Sequence, residues 1–212
     1  QPIDDCYRLL SFRGKDSGDT FHLLNLSCHP VFSKSENVSA DFPGELCDLF
    51  FESTSQNIVF FQGWCGDIRP NSVGGLTTSK RIVALVKSIF NGKVFIDSDV
   101  SFFRKFCNKI VNSVSDLVLS SGHLATREET KGIVVVHNSI KLSSYSGLTE
   151  MYMPVNIVCF GSVLFVSVAA EVSSKYYLSI KEKFPQFIVI PLGYANGMIG
   201  YLPYPDQVKE GG

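Results

Sequence analysis

Charge is scarce in this sequence and evenly balanced: only 18% of residues are charged, 19 basic against 20 acidic, for a net charge of −1. No basic tract occurs, which argues against a nucleic-acid partner. Long apolar runs are also missing. The longest, Val155 to Ala170, is interrupted by Gly161-Ser162, and spanning a bilayer takes about 20 residues, so no transmembrane segment is expected. Gln1-Pro2-Ile3-Asp4-Asp5 lacks the basic-then-apolar order of a signal peptide. There is one tryptophan, against 17 phenylalanines and eight tyrosines. Six cysteines are present but none in a CxxC spacing, which excludes a zinc ribbon. Cys107 and Cys159 lie in apolar runs and read as small buried hydrophobes, so mostly free thiols are expected. The GxSxG elbow, GxGxxG, the P-loop and HExxH are all absent.

What is present is a globular composition. An apolar fraction of 45% over 212 residues suffices for one domain with a proper core. Residues 1–20 are polar, with a turn at Gly14 to Gly18. Phe21 to Ser27 reads as a strand that Cys28-His29-Pro30 ends, because proline cannot continue a central ladder. Asp41 is placed to cap a helix carrying Leu46, Leu49 and Phe50 at helical spacing. A strand at 57–61 precedes a turn rich in glycine. Thr77 or Thr78 then caps a second helix with Ile82, Leu85, Val86 and Ile89 on one face, stopped by Asn91-Gly92. Residues 101–118 fit either a helix or two strands. Ile133 to Val136 is β-branched and reads as a strand, and 143–147 as a loop.

The last third has the clearest pattern. Strands at 155–160 and 163–168 flank a Gly161-Ser162 turn. Ser173 or Ser174 caps a helix through Tyr177, Ile180 and Phe184 that ends before Pro185, and a strand at 187–192 follows. Strand–helix–strand order implies parallel pairing. The fold class expected is therefore α/β, a mixed and partly parallel sheet flanked by helices. Residues 1–212 then form a single domain or a portion of a larger catalytic domain.

Chemistry is expected where strands end. In α/β proteins the loops at the carboxyl ends of strands form the crevice that holds ligands. Phe60-Phe61-Gln62-Gly63-Trp64-Cys65-Gly66-Asp67-Ile68-Arg69-Pro70 is such an ending. Asp67 orients the turn through its own backbone or takes part in chemistry. Arg69 grips a carboxylate or phosphate, or pairs with Asp67. His29 is a metal ligand at a rigid strand end or a loop histidine bonded to backbone. Glu171 is a ligand beside buried surface or a first-turn helix acid. Tyr201, between glycines, is a packing anchor or a phenolate ligand. His22, His123 and His137 have no evident partners and read as ordinary.

These segments, in this order, resemble the neutral/alkaline (non-lysosomal) ceramidase family. The resemblance is carried by Leu24-Asn25-Leu26-Ser27-Cys28-His29-Pro30, Val38-Ser39-Ala40-Asp41-Phe42-Pro43-Gly44, Phe61 to Pro70, Val163 to Glu171, and Gly193 to Gly212 with Asn196-Gly197-Met198-Ile199-Gly200-Tyr201-Leu202-Pro203. Residues 93–150 match nothing in it. Family members cleave the amide of ceramide to sphingosine and a fatty acid, with a zinc ion held by two histidines, a glutamate and a tyrosine. The resemblance implies Zn2+ bound by His29, Glu171 and Tyr201, a lipid-like N-acyl substrate, and a secreted or cell-surface setting. It implies that Gly63, Asp67 and Arg69 line the catalytic turn, with backbone N–H groups of Gly63 to Gly66 facing an oxyanion. Gly63 stands where the family has serine. The family's first zinc histidine falls upstream of Gln1, so the resemblance implies an internal portion of a longer polypeptide or a shortened relative. A non-catalytic binding domain on the same scaffold is the competing expectation. An α/β hydrolase or transferase sharing only the fold is a third.

Overall fold

The structure, a computed structural model, describes residues 3–33, 37–70, 78–79, 82–83, 85–86, 100–120, 132–143 and 150–209. Two helices cover the first sheet. Strands β1 (Tyr7–Arg13) and β2 (Thr20–Leu26) form an antiparallel hairpin, in register from Tyr7 opposite Leu26 to Arg13 opposite Thr20. Helix α1 (Asp41–Thr54) then crosses to β3 (Ile58–Gln62), which pairs parallel to β2. α1 buries Phe42, Leu46 and Phe50, spaced four apart on one stripe. Helix α2 (Val100–Leu119) meets it with Cys107, Val111 and Val114. Phe32 and Phe106 both meet the Phe42 ring edge-on in the same core. Each fully buried phenylalanine or leucine here contributes about 1.5–3 kcal/mol.

The second sheet has the order β4 (Ile133–Ser143), β5 (Glu150–Phe160), β6 (Val163–Val168), β8 (Ile188–Leu192). The first three are antiparallel. β6 and β8 are parallel, joined through helix α3 (Ser174–Lys183). A third, two-stranded sheet pairs β7 (Glu171–Val172) with β9 (Tyr201–Leu202) in parallel, and a short helix α4 (Pro205–Lys209) follows. The α/β class, with mixed sheets flanked by helices, is as expected, although the strands are shared among three sheets.

Several elements differ from the sequence reading. β1 was not expected, because Tyr7 to Leu10 are only half-buried, Ser11 to Arg13 are exposed, and the strand carries no apolar alternation. The segment at 101–118 is helical throughout. Backbone at Thr78, Ser79, Ile82, Val83, Leu85 and Val86 is helical, but Ile82, Leu85 and Val86 are exposed, so the helical period is present without the buried face it normally signals. Thr77, Ile89, Asn91, Gly92 and the loop at 144–147 lie outside the described residues. Asp41 does not cap α1 from outside. It lies in the first turn at φ 51°, and its carboxylate accepts from the Ser33 and Phe42 amides. All six cysteines are described and all are free thiols. No helix among the described residues is long and apolar enough to cross a membrane.

The two larger sheets meet at their carboxyl ends. Buried Asn25 on β2 donates to Phe61 O (3.1 Å) on β3 and to Pro191 O (2.8 Å) on β8. Gly193 N–H donates to Gln62 O at 3.0 Å, and the Trp64 indole N–H donates to Leu192 O at 3.2 Å. The loops after β2, β3, β6 and β8 therefore open onto one region.

Candidate functional site

Each of those loops supplies one part of the site. His29 follows β2, and its backbone N–H donates to Ile68 O (3.1 Å), which fastens the histidine to the glycine turn after β3. Glu171 opens β7 beyond β6, and its N–H donates to Gly200 O at 3.0 Å. Tyr201 is the direct partner of Glu171 in the parallel β7–β9 pair, so the two side chains stand next to each other on one face. His29 and Glu171 are 8% and 7% exposed, while Tyr201 is 62% exposed at the rim.

The imidazole and the carboxylate meet. His29 Nε2 lies 2.7 Å from Glu171 Oε1. The contact is an ion pair in which Glu171 hydrogen-bonds the ring and opposes the lowering of its pKa by burial, but the alignment is poor, and neither atom has any other partner although both are buried. Buried polar atoms are almost always well paired, so a nitrogen and an oxygen this poorly satisfied and facing the same point call for a ligand. On its other side, His29 Nδ1 is 3.6 Å from Cys65 Sγ, which is 3.7 Å from the Tyr194 hydroxyl.

Electrostatics fit this arrangement. Burial lowers the His29 pKa, Glu171 opposes the shift, and Arg69 lowers it further. The ring is thus neutral near pH 7, the form that ligates metals. Tyr201 is pushed up, first by its hydrogen bond to Glu171 and then by burial. Burial is also the main cause that raises Tyr194 and pushes the Cys65 thiol up to about 11. Without a cation, both phenols and the thiol stay protonated. Arg69 is exposed, and its charge is felt at both His29 and Tyr201.

Asp67 has a different set of partners from the one the turn suggested. It accepts from Ser174 N (2.7 Å), the Ser173 hydroxyl (2.8 Å) and Gln207 Nε2 (3.0 Å), capping α3 from across the fold. Burial raises its pKa, but these three donors outweigh burial and the net shift is downward. A carboxyl with a depressed folded pKa stabilises above the unfolded value, near 4, and that contribution fades as pH falls through the folded value. Asp67→Asn is expected to cost about 1 kcal/mol at pH 7, the scale of a lost cap that solvent partly screens. Urea melts should show the gap closing on acidification below about pH 4. A pH-independent gap would contradict this.

Gly63 is explained by close approach. A Cβ there would lie 2.3 Å from Ser27 Oγ and 3.0 Å from the Ser27 backbone. Its N–H donates to Leu26 O at 2.9 Å, and the Gly66 N–H donates to Val172 O at 2.8 Å. Neither amide is available to an oxyanion in this conformation, because both are used to hold the turn against β2 and β7. Gly63→Ser is expected to destabilise by about 1–3 kcal/mol through overpacking, and Ser27→Gly in the same chain to recover most of that in denaturant melts.

Among the remaining histidines, His22 is buried between Ser11 Oγ (2.8 Å) and Gln56 Oε1 (2.6 Å), and His137 pairs with Asn156. His123 lies outside the described residues. Sequence reading passed over Cys65 and Tyr194. Neither stands in a metal-binding spacing, and only the folded turns bring them behind His29. Among the described residues, no three His, Cys, Asp or Glu side chains are grouped to hold a metal ion. Any cation here would need phenol oxygen beside the imidazole and the carboxylate.

No family model matches the chain, and no curated protein does. Solved structures do. The crystal structure of neutral ceramidase from Pseudomonas aeruginosa superimposes with a TM-score of 0.63 at 12% identity, over 94% of this chain and 41% of that one. A ceramidase complexed with C2 gives a TM-score of 0.64 at 11% identity, over 95% of this chain and 42% of that one. This chain therefore spans about two-fifths of the length of those proteins. At such identity the likeness establishes a shared, ceramidase-like fold.

Proposed function

We propose that this chain is part of a zinc-dependent amidohydrolase of the ceramidase type, acting on the N-acyl amide of a lipid-like substrate. The observation that carries this is the buried, poorly satisfied pair of His29 Nε2 and Glu171 Oε1, 2.7 Å apart. Imidazole nitrogen and carboxylate oxygen are both zinc donors. With Tyr201 beside Glu171, three donors of this chain fit the ion, and a phenol that is protonated without a cation becomes a phenolate donor beside one. Zinc held there would lower the pKa of a water to about 7 and polarise an amide carbonyl.

The chain's own residues have distinct parts in this reading. His29 and Glu171 supply the buried donors. Tyr201, at the rim, supplies the donor nearest solvent and substrate. Arg69 brings positive charge to the mouth, where negative charge develops on a carbonyl oxygen or on a carboxylate product. Asp67 and Gly63 shape the turn that carries Cys65 and Arg69. Residues 1–212 are assigned to one α/β unit of a larger catalytic domain, in a secreted or cell-surface protein. The ceramidase-like fold supports the substrate class.

The test is zinc content by mass spectrometry of the metal-loaded protein, together with release of fatty acid from labelled N-acyl sphingoid and N-acyl amino-acid substrates. Stoichiometric zinc and amide cleavage are expected. A second reading, a metal- or ligand-binding domain without catalysis, is favoured by the filled space at Gly63 and the committed amides of Gly63 and Gly66. Zinc binding without cleavage would select it. No zinc binding at all would end the amidohydrolase reading and the metal-binding form of the second.

A further inference from the structure

We propose that this chain forms a two-fold symmetric dimer through the outer edge of β4, the β4 strands of two copies pairing antiparallel about Asn138.

β4 is the edge of the second sheet, and among the described residues nothing pairs with its outer side. At 11 residues it is about twice the usual strand length. Ile133, Val134, Val135, Val136 and Ile140 are between 45% and 68% exposed, so both faces of the strand are apolar and open. Edge strands of monomers are normally blunted by proline, a bulge or charge. β4 has no proline, and its register with β5 runs unbroken from Ile133 opposite Phe160 to Ser143 opposite Glu150. Its single lysine, Lys141, is paired with Glu150 at 2.7 Å.

The direction of the free hydrogen-bonding groups follows from β5. Pro154 O accepts from Ala169 N at 3.4 Å, just beyond β6. In an antiparallel ladder the N–H and C=O of one residue point to the same side. Pro154 therefore faces β6, and Ser139, its partner on β4, faces outward. Residues 133, 135, 137, 139, 141 and 143 thus present their backbone groups to the open edge. The Ser139 N–H donates there to Oδ1 of the adjacent Asn138 at 2.8 Å, for want of a strand.

The residue pattern of β4 selects the occupant. It is symmetric in character about Asn138: Val136 and Ile140 flank it, then Val134 and Leu142. A second β4 laid antiparallel with the axis on Asn138 sets Val134 against Leu142, Val136 against Ile140, and Asn138 against Asn138. These are the non-hydrogen-bonded positions of the new ladder, where facing side chains come closest. The two Asn138 amides carry donor and acceptor alike and can bond reciprocally. The intervening residues supply about a dozen N–H···O bonds, matching the roughly ten of a typical interface. Moving the axis by one residue opposes Asn138 to Val136 or Ile140, so one register is favoured. A two-fold contact requires self-complementarity of this kind. A strand from elsewhere in a longer protein would not.

Sedimentation equilibrium of the metal-free chain tests the dimer independently of zinc. A species of twice 23.4 kDa is expected to predominate at about 50 µM chain. Asn138→Lys sets two ammonium groups directly opposite each other and should raise the dissociation constant at least about tenfold. Far-UV circular dichroism should be unchanged, because Asn138 is exposed. Asn138→Cys places two thiols across a non-hydrogen-bonded pair, within disulfide reach. Mild oxidation should then yield a peptide linked from 138 to 138, read by mass spectrometry, whereas Ser139→Cys, staggered along the ladder, should not link to its own copy. A monomer at that concentration would overturn the proposal and leave the edge to a different chain segment. So would a dimer that is indifferent to Asn138→Lys and gives no such link. Should Asn138→Lys disturb the fold, the position-specific link decides.

Discussion

His29→Ala is expected to abolish measurable zinc binding at micromolar concentrations, and Glu171→Gln to weaken it by at least about a hundredfold. Apparent zinc affinities of four-ligand structural sites are about 10–16 kcal/mol, so one ligand of four accounts for roughly 3 kcal/mol, or about two orders of magnitude. The two variants should differ in the metal-free protein. Glu171→Gln replaces a buried carboxylate with a neutral amide that can hydrogen-bond the His29 ring in either tautomer. It should leave the apo fold unchanged or raise its stability by about 1 kcal/mol, the net worth of a hydrogen bond. His29→Ala instead opens a space beside a buried carboxylate and should lower stability. Isothermal titration with zinc and thermal melts of the apo proteins separate these outcomes. Losing zinc while gaining stability is the mark of a site held in a strained arrangement for its ligand. If Glu171→Gln destabilised the apo protein by several kcal/mol while zinc affinity stayed unchanged, the pair would be a structural ion pair and the metal reading would fall.

How much of this was legible beforehand depended on whether local chemistry or tertiary context decided each element. The strand ending at Cys28-His29-Pro30 was readable because proline punctuates the chain. The helix begun by Ser173 and stopped before Pro185 carries its own cap, and the parallel order of β6 and β8 followed from the helix between them. β1 was not readable. Its residues are half-buried or exposed without alternation, and its pairing with β2 is tertiary in origin. Likewise β5 starts earlier than its apolar run, because Glu150 to Pro154 continue the ladder opposite β4 rather than a buried face. In the site, His29 and Glu171 could be singled out from their positions at strand ends. Their distance apart could not, since Glu171 is brought in by a two-residue strand whose partner is Tyr201. The partners of Asp67 were equally hidden: the helix terminus it caps lies more than a hundred residues away. Cys65 and Tyr194 illustrate the limit. A thiol and a phenol with no characteristic spacing are brought behind His29 only when two turns fold against each other.

Asp4→Ala should be the most damaging single substitution for the fold, costing about 3–5 kcal/mol, the scale for breaking a buried ion pair by removing one partner. Asp4 is fully buried at its side chain and Arg8 nearly so. The guanidinium binds both carboxylate oxygens, at 2.7 and 3.1 Å, and also Asn25 Oδ1 at 3.1 Å. It stacks over the Tyr177 ring, 4.2 Å from its centroid, and the Ser27 hydroxyl donates to Asp4 at 2.6 Å. Burial works against the Arg8 charge, but Asp4 more than offsets it and the Arg8 pKa is raised. Removing Asp4 thus leaves a desolvated cation and a buried hydroxyl without their acceptor. Asn25 is the residue that bonds both larger sheets, so the loss reaches the junction on which the site is built. Against a typical total stability of 5–15 kcal/mol, this approaches unfolding. The double replacement Asp4→Leu with Arg8→Met should recover most of the deficit, because an apolar pair avoids both desolvation costs. Guanidinium melts of the single and double variants measure the difference. A loss below about 1 kcal/mol for Asp4→Ala would match a solvent-screened surface pair, and the network would then not be the pin that joins β1, β2 and β8.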